Sequence, residues 1–148
     1  MGILTLEKEK IIFSRRDELT VVEAYGKNCI RCRSTKNSKL SDENWTLLAP
    51  EESEGVVTGD NQCATLTNGM ISVKVEAGNP WYGGVFTWYR EGKQILHTKF
   101  EGDYTGRNVH TEGDHYQIKV IFDANPSEHF YGLGQEQEDI FDRKGSTC

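Results

Sequence analysis

The chain has 148 residues and a net charge of −6 at pH 7, from 17 Lys and Arg against 23 Asp and Glu. This length fits one domain, and an aromatic content of 10% is too high for a wholly disordered chain. No apolar run approaches the ~20 residues that a membrane-spanning helix needs. The acidic balance also disfavours a nucleic-acid partner, because such a partner is usually bound through a basic face.

Seven segments show the alternation of apolar and polar residues, or the β-branched composition, that is typical of β-strands. In chain order they cover residues 18–25, 29–35, 64–67, 70–76, 85–89, 94–98 and 116–122. No segment sustains a helical period. The sequence therefore predicts an all-β chain.

Turn-forming residues separate these segments. Gly26-Lys27-Asn28 joins the first two strands, and the Asn68-Gly69 dipeptide predicts a type I′ turn between the third and the fourth. A longer hairpin loop is expected at residues 90–93, and residues 36–59 and 101–113 are predicted to be polar loops. Many short strands with regular turns favour an antiparallel sandwich or barrel.

The last predicted strand has the clearest division into two faces. Its polar residues Gln117 and Lys119 lie on one face, and its apolar residues share the other. The apolar residues are Tyr116, Ile118, Val120 and Phe122. This pattern is typical of a strand with one face against a core.

Cys29-Ile30-Arg31-Cys32 has the C-x-x-C spacing of redox and zinc sites. The two cysteines fall in a predicted strand, where residues three apart point to opposite faces, and no second ligand pair is present. We therefore expect structural cysteines, with Cys32 acting as a small buried apolar side chain. Because the N-terminus lacks a signal-peptide pattern, the cysteines are expected to be thiols in a cytoplasmic protein.

Three further groups of residues suggest chemistry but fit simpler interpretations. The histidines lack the spacing of a helical metal motif, and Gly132-Leu133-Gly134 lacks the third glycine of a dinucleotide-binding loop, since residue 137 is Gln. The acidic residues between positions 136 and 142 share one loop, where the fixed separation of a glycosidase carboxyl pair is not expected. No metal or cofactor is predicted.

Trp81 and Tyr82 lie in a predicted turn between Asn79-Pro80 and Gly83-Gly84. Aromatic side chains on such a loop can stack on a sugar ring, or they can pack against the end of a sandwich or another domain. We favour packing.

A longer motif occupies the last third of the chain. After a strand that ends at Phe122-Asp123, residues 130–135 read F-Y-G-L-G-Q and residues 141–145 read F-D-R-K-G. This order resembles the signature of glycoside hydrolase family 31, in which a strand is followed by F-Y-G-L-G-[EQ] and then by a hydrophobic-D-x-K-G segment. Residues 30–35, I-R-C-R-S-T, are similar to the I-R-V-R strand of that family. Gln135 and the residues after it are more similar to the α-xylosidase-like branch than to the maltase-like one.

This resemblance implies a β-sandwich of the galactose-mutarotase-like, supersandwich type, in front of the catalytic (β/α)8 barrel of a cytoplasmic, exo-acting α-glycosidase. The parent enzyme would hydrolyse terminal α-linked glucose or xylose with retention. The family's nucleophile lies in a W-x-D-M-N-E motif, and none of Trp45, Trp81 and Trp88 begins such a motif. We therefore expect residues 1–148 to form one N-terminal sandwich domain without catalytic residues. The rest of the sandwich and the barrel would lie outside this chain.

The expected role of the domain is to pack on the barrel and help to shape the substrate site. Candidate contacts with carbohydrate or with the barrel are Trp81, Tyr82, Tyr131, Gln135 and Phe141. The expected partners are the barrel and the carbohydrate substrate, with no metal, cofactor, nucleic acid or membrane. Two other hypotheses stay open: a stand-alone carbohydrate-binding module that binds sugar through Trp81, Tyr82 or Trp88, and a small aldose-epimerase-like enzyme that uses His and Glu.

Overall fold

The computed structural model describes residues 2–16, 18–45, 47–50, 52–78, 83–99, 107–132 and 141–145. The regular elements in these ranges are all strands, β1 to β11. They span Ile3–Glu7, Lys10–Arg15, Glu18–Ala24, Ile30–Thr35, Val56–Gly59, Cys63–Asn68, Ile71–Glu76, Val85–Arg90, Lys93–His97, Arg107–Glu112 and His115–Val120. No helix in the described residues has the length and apolar character to cross a membrane.

The strands pair in sequence order, and every pair is antiparallel. β1–β4 make a four-stranded sheet, β5–β9 make a five-stranded sheet, and β10–β11 form a hairpin. The hairpin meets the five-stranded sheet where Thr98 pairs with Phe122 and the Lys99 N–H donates to the Ile121 carbonyl at 3.0 Å. This architecture confirms the predicted antiparallel sandwich.

The core lies between the inner faces of the two larger sheets. Phe13 of β2 and Phe86 of β8 meet edge to face, with ring centroids 6.0 Å apart. Alternating apolar residues around this pair are also buried: Leu4, Ile11, Val22, Ala64, Leu66, Val73, Val75 and Ala77. Burial of a large apolar side chain contributes about 1.5–3 kcal/mol, so this cluster is the main stabilising contact between the sheets.

Four strands are absent from the sequence prediction. β1 and β2 form a hairpin in which Ile11 and Phe13 face the core, but the run Ile11-Ile12-Phe13 conceals the alternation. β5 and β10 lie in segments predicted to be loops, residues 36–59 and 101–113. Each is a strand because its backbone pairs with a neighbour, β6 or β11, and local composition does not reveal such pairing.

Two predicted burials are wrong. Cys32 is exposed, although its cross-strand neighbour Val22 is fully buried, because β4 is the outermost strand of its sheet. The apolar face of β11 is also exposed, with Tyr116 at 65% and Ile118 at 70% of full accessibility. The strand forms as predicted, but its apolar face is not covered by the described residues.

The turn between β6 and β7 is shifted by one residue from the predicted Asn68-Gly69. Asn68 pairs with Ile71, so the two-residue loop is Gly69-Met70. Gly69 has φ +62°, which places a glycine at the first central position, as a type II′ turn requires. A Cβ at Gly69 would also lie 2.0 Å from Asn28 Oδ1, so this position has no room for a side chain.

The shift leaves Asn68 inside the molecule, where it joins the two sheets. Its side chain is 2% exposed, and Nδ2 donates to the carbonyls of Gly26 at 2.6 Å and Cys29 at 2.7 Å. A third hydrogen bond joins the same two turns: Asn28 Oδ1 accepts from the Met70 N–H at 2.8 Å. These hydrogen bonds connect the β3–β4 turn to the β6–β7 turn. We call the five residues that make them the asparagine clasp: Gly26, Asn28, Cys29, Asn68 and Met70.

Replacement of Asn68 by Ala should lower the free energy of unfolding by about 2 kcal/mol, because two hydrogen bonds are lost and buried carbonyl groups lose a donor. Chemical denaturation followed by tryptophan fluorescence measures this change. Asn61→Ala is the matched control: the Asn61 side chain is exposed, and its carbonyl, which accepts from Leu4, is retained. Equal stability of the Asn68→Ala and Asn61→Ala variants would contradict the role of the clasp.

Candidate functional site

The motif residues of the last third form two facing segments, residues 125–132 and 141–145, which we call the paired motif. Asp142 joins them. Its Oδ1 accepts from the Phe130 N–H at 3.0 Å and from the Lys144 N–H at 3.1 Å, and its Oδ2 lies 2.7 Å from His129 Nδ1. One carboxylate therefore holds both segments of the sequence signature.

Further hydrogen bonds reinforce this connection. The Arg143 N–H donates to the Phe130 carbonyl at 2.7 Å, and Arg143 is itself buried. Lys144 Nζ donates to the Asn125 carbonyl and lies 3.8 Å from Glu128 Oε1. Glu128, the acidic partner of Lys144, comes from the opposite segment. An ion pair at this partly exposed position contributes at most about 1 kcal/mol.

The first segment of the paired motif is shaped by local turns. Asn125 Oδ1 accepts from the Ser127 N–H at 3.0 Å and from Ser127 Oγ at 2.8 Å, which is the pattern of an Asx turn. Gly132 ends the described part of the segment with φ +87°. No atom of the described residues lies within 4 Å of a Cβ built there, and the positive φ is the reason that this position favours a glycine.

Three rings line the outer surface of the paired motif. The His129 and Tyr131 rings stack with centroids 6.0 Å apart, and the Tyr131 and Phe141 rings are 4.8 Å apart and tilted. Tyr131 is 55% exposed and Phe141 is 81% exposed. We call these three residues the aromatic ledge. The hydrogen bonds of Asp142 fix the backbone beneath the ledge, and Tyr131 and Phe141 stay more than half exposed to a partner.

The carboxyl group of Asp142 is strongly perturbed. Its pKa is lowered from 3.8 to about 2, first by the hydrogen bond with His129 and then by those from the Phe130 and Lys144 N–H groups. Each of these favours the charged form of the carboxylate. A carboxylate of this kind is a weak base, and its oxygens are already engaged. Asp142 therefore has a structural role, and the geometry does not suit it for acid–base work.

The structure brings together two of the predicted contact residues, Tyr131 and Phe141. The other three, Trp81, Tyr82 and Gln135, lie outside the described residues, as does most of the acidic stretch between positions 136 and 142. In the described part of the chain, no group of three or more His, Cys, Asp or Glu side chains is arranged to hold a metal ion.

The pairing of His129 with Asp142 is a feature that sequence reasoning misses. The two residues are 13 positions apart, and neither a strand nor a helix period relates them. Their membership of the two motif segments was the available signal, because motif segments that occur together often meet in the fold. His129 is about half exposed, but it has a specific partner in Asp142.

Fold and site together define an antiparallel β-sandwich domain with a carboxylate-bridged turn pair and an exposed aromatic ledge. No protein-family model matches the chain. A curated relative, an uncharacterized family 31 glucosidase of Pseudescherichia vulneris, is 27% identical over an alignment that covers 85% of this chain and 27% of the relative. The crystal structure of a family 31 α-xylosidase from a soil metagenome, complexed with xylose, matches the fold with a TM-score of 0.80.

The structural match has 24% sequence identity and covers 97% of this chain and 24% of the α-xylosidase. The chain thus spans about a quarter of the length of the proteins it matches. These likenesses confirm the resemblance seen in the sequence: the chain is a domain related to glycoside hydrolase family 31.

Replacement of His129 by Ala should raise the pKa of Asp142 toward 3.8, because the largest cause of its lowering is removed. In the unaltered chain the folded pKa lies below the ordinary value. The stabilisation is therefore present above pH 3.8 and is lost as the pH falls through about 2. An NMR titration of the Asp142 side-chain carboxyl carbon measures both values.

His115→Ala is the matched control for this titration, because His115 is an exposed histidine that lies 3.1 Å from a different carboxylate, Asp114. It should leave the pKa of Asp142 unchanged. A pKa near 3.8 for Asp142 in the unaltered chain would contradict the bridging geometry.

Proposed function

We propose that this chain is the N-terminal β-sandwich domain of a retaining, exo-acting α-glycosidase that hydrolyses terminal α-linked glucose or xylose. The observation that carries the proposal is the match of nearly the whole chain to one part of a much longer α-xylosidase. The sequence likeness to a family 31 glucosidase supports the same assignment. The domain, residues 1–148, would pack on a catalytic (β/α)8 barrel in the same polypeptide.

In this proposal the domain does not catalyse. A retaining glycosidase needs two carboxyl groups about 5–5.5 Å apart, one as nucleophile and one as acid and base. Asp142, the carboxylate at the centre of the paired motif, has a pKa lowered to about 2, which does not suit the acid and base role, and its three hydrogen bonds within the chain give it a structural role. The catalytic acids are therefore assigned to the barrel.

The aromatic ledge is the proposed contact with the barrel or with substrate at the mouth of the active site. Tyr131 and Phe141 are exposed side chains on a backbone that hydrogen bonds hold in position. A fixed aromatic surface loses little conformational entropy on binding, which favours docking. Trp81, Tyr82 and Gln135 are assigned to the same contact on sequence grounds.

We also propose a cytoplasmic location for the parent enzyme. Cys29, Cys32 and Cys63 are thiols in this structure, and two of them are exposed. Exposed thiols persist in a reducing compartment, whereas an oxidising one favours their conversion to disulfides. Fractionation of cells followed by immunodetection of the enzyme tests this assignment, and recovery outside the cytoplasm would contradict it.

The chain alone should not hydrolyse 4-nitrophenyl α-xyloside or α-glucoside above the uncatalysed rate, because the catalytic carboxyl pair is assigned to the barrel. Release of nitrophenolate, measured by absorbance with a complete family 31 enzyme assayed in parallel, is the test. Turnover that co-purifies with the chain and vanishes in an Asp142→Asn variant would refute the non-catalytic role.

The reading frame of the gene provides an independent test of the multidomain assignment. A W-x-D-M-N-E segment in the same polypeptide as this domain is the expected result. A frame that encodes this sandwich with no such segment would contradict the proposal.

The exposed rings of Tyr131 and Phe141 favour a second candidate, a carbohydrate-binding module. Trp88 is a weaker candidate for sugar binding than the sequence suggested, because its ring is partly buried and stacks on Phe86 with centroids 5.9 Å apart. The module hypothesis predicts saturable chemical-shift changes at the Tyr131 and Phe141 amides when oligosaccharide is added, and these should disappear in Tyr131→Ala. No change at the ledge would count against it.

A further inference from the structure

A groove of about 270 Å³ lies between the edge strand β4 and the hairpin strand β11. The described residues that line it are Glu18, Ser34, Thr35, Lys36, Asn37, Tyr116 and Ile118. None of them belongs to the aromatic ledge, so the groove is a separate feature of the surface. Its volume is just below the range typical of pockets for drug-sized ligands, which fits a smaller molecule.

The two walls of the groove differ in chemistry. One wall is apolar: Tyr116 and Ile118 are two residues apart on β11, share one face of the strand and are largely exposed. The other wall, from the end of β4 and the start of β3, has hydroxyl, amide, carboxylate and ammonium groups. A ligand in the groove would therefore meet an aromatic and aliphatic surface on one side and hydrogen-bonding groups on the other.

The polar wall is ordered by contacts within the chain. Thr20 is fully buried in β3, and its Oγ1 lies 2.8 Å from Ser34 Oγ. The Thr20 hydroxyl also donates to Glu18 Oε1 at 3.2 Å. The Asn37 N–H donates to Thr35 Oγ1 at 3.0 Å. These bonds hold the Glu18 carboxylate and the Ser34 and Thr35 hydroxyls in place before any ligand arrives, which lowers the entropy that binding would cost.

The charges of the polar wall favour an uncharged ligand. Lys36 and Glu18 carry opposite signs, so the described lining of the groove has no net charge that would select an anion or a cation. An uncharged molecule with several hydroxyl groups can accept from Lys36 and Asn37 and donate to Glu18. The same molecule needs an apolar face for Tyr116 and Ile118.

A pyranose ring has both properties, because its C–H groups form an apolar face and its hydroxyls lie around the edge. We propose that this groove binds one pyranose unit of a neutral saccharide, with the ring stacked on Tyr116 and its hydroxyls bonded to Glu18 and Asn37. The choice of an α-linked glucose or xylose unit rests on the proposed function. Such a site would hold part of a substrate chain on the sandwich, apart from the residues that cut it.

Titration of the ¹⁵N-labelled chain with methyl α-xyloside, methyl α-glucoside and maltotriose tests this assignment by NMR. Saturable shifts of the Asn37, Tyr116 and Ile118 amides are expected with at least one of the three. Tyr116→Ala should weaken binding by about tenfold or more, because the stacking surface is lost. Tyr116→Phe keeps the ring, so its dissociation constant for the sugar should lie within about threefold of that of the unaltered chain. A threefold change in affinity is smaller than the effect of losing one good hydrogen bond.

The matched control is Trp45→Ala, which removes another exposed aromatic side chain that does not line the groove. The affinity of the Trp45→Ala variant for the sugar should equal that of the unaltered chain. Asn37→Ala provides a second variant, since Asn37 is exposed and its replacement leaves the core intact. The dispersion of the amide spectrum reports whether each variant is folded.

Three results would overturn the groove as a sugar site: no saturable shift at its residues with any of the three probes, unchanged affinity in Tyr116→Ala, or loss of binding only in Tyr131→Ala. The last result would move the sugar to the aromatic ledge. None of the three bears on the multidomain assignment, which the reading frame tests separately.

Discussion

The asparagine clasp sets how the two sheets of the sandwich meet. Apolar packing between Phe13 and Phe86 drives the sheets together, but it is non-directional and does not by itself choose one register. The hydrogen bonds from the buried Asn68 amide favour one register of the two sheets, because each bond needs a carbonyl of the β3–β4 turn at a fixed distance. The clasp holds the β3–β4 turn, and so it also positions β4. The polar wall of the groove at the far end of that strand depends on this placement.

The paired motif is held by a different kind of interaction. Its segments contribute little to the buried core, and hydrogen bonds to one ionised side chain, Asp142, join them together with polar contacts of Arg143 and Lys144. A carboxylate with a pKa of about 2 is a weak base, because the hydrogen bonds that lower its pKa stabilise its charged form. The result is a backbone fixed by charge with Tyr131 and Phe141 on its outer side. The motif is therefore a means of presenting a surface, which is consistent with a supporting role beside a separate catalytic domain.

The sequence predicts the central strands well and the edges poorly, for a physical reason. β6 and β7 have one face against the core, so burial imposes an alternation that can be read directly, whereas β3 and β8 are recognised by their β-branched and aromatic composition. Edge elements such as β5 and β10 depend on pairing with a neighbour, and the exposure of Cys32 depends on where the opposite sheet ends. The contact of His129 with Asp142 and the Asn68 bonds join residues distant in sequence, so no local pattern encodes them.

The two exposed aromatic surfaces of the domain suit different partners. At the ledge, the nearest polar groups are already engaged, since the oxygens of Asp142 accept three hydrogen bonds from within the chain. That leaves ring faces with few groups for sugar hydroxyls, a composition that favours contact with another protein surface. In the groove, Tyr116 instead lies opposite a wall of hydroxyl, amide and charged groups. A sugar ring, which has one apolar face and a polar edge, requires two walls of this kind. A domain with both surfaces can dock on a catalytic partner and hold sugar at the same time, because the two tasks use separate residues.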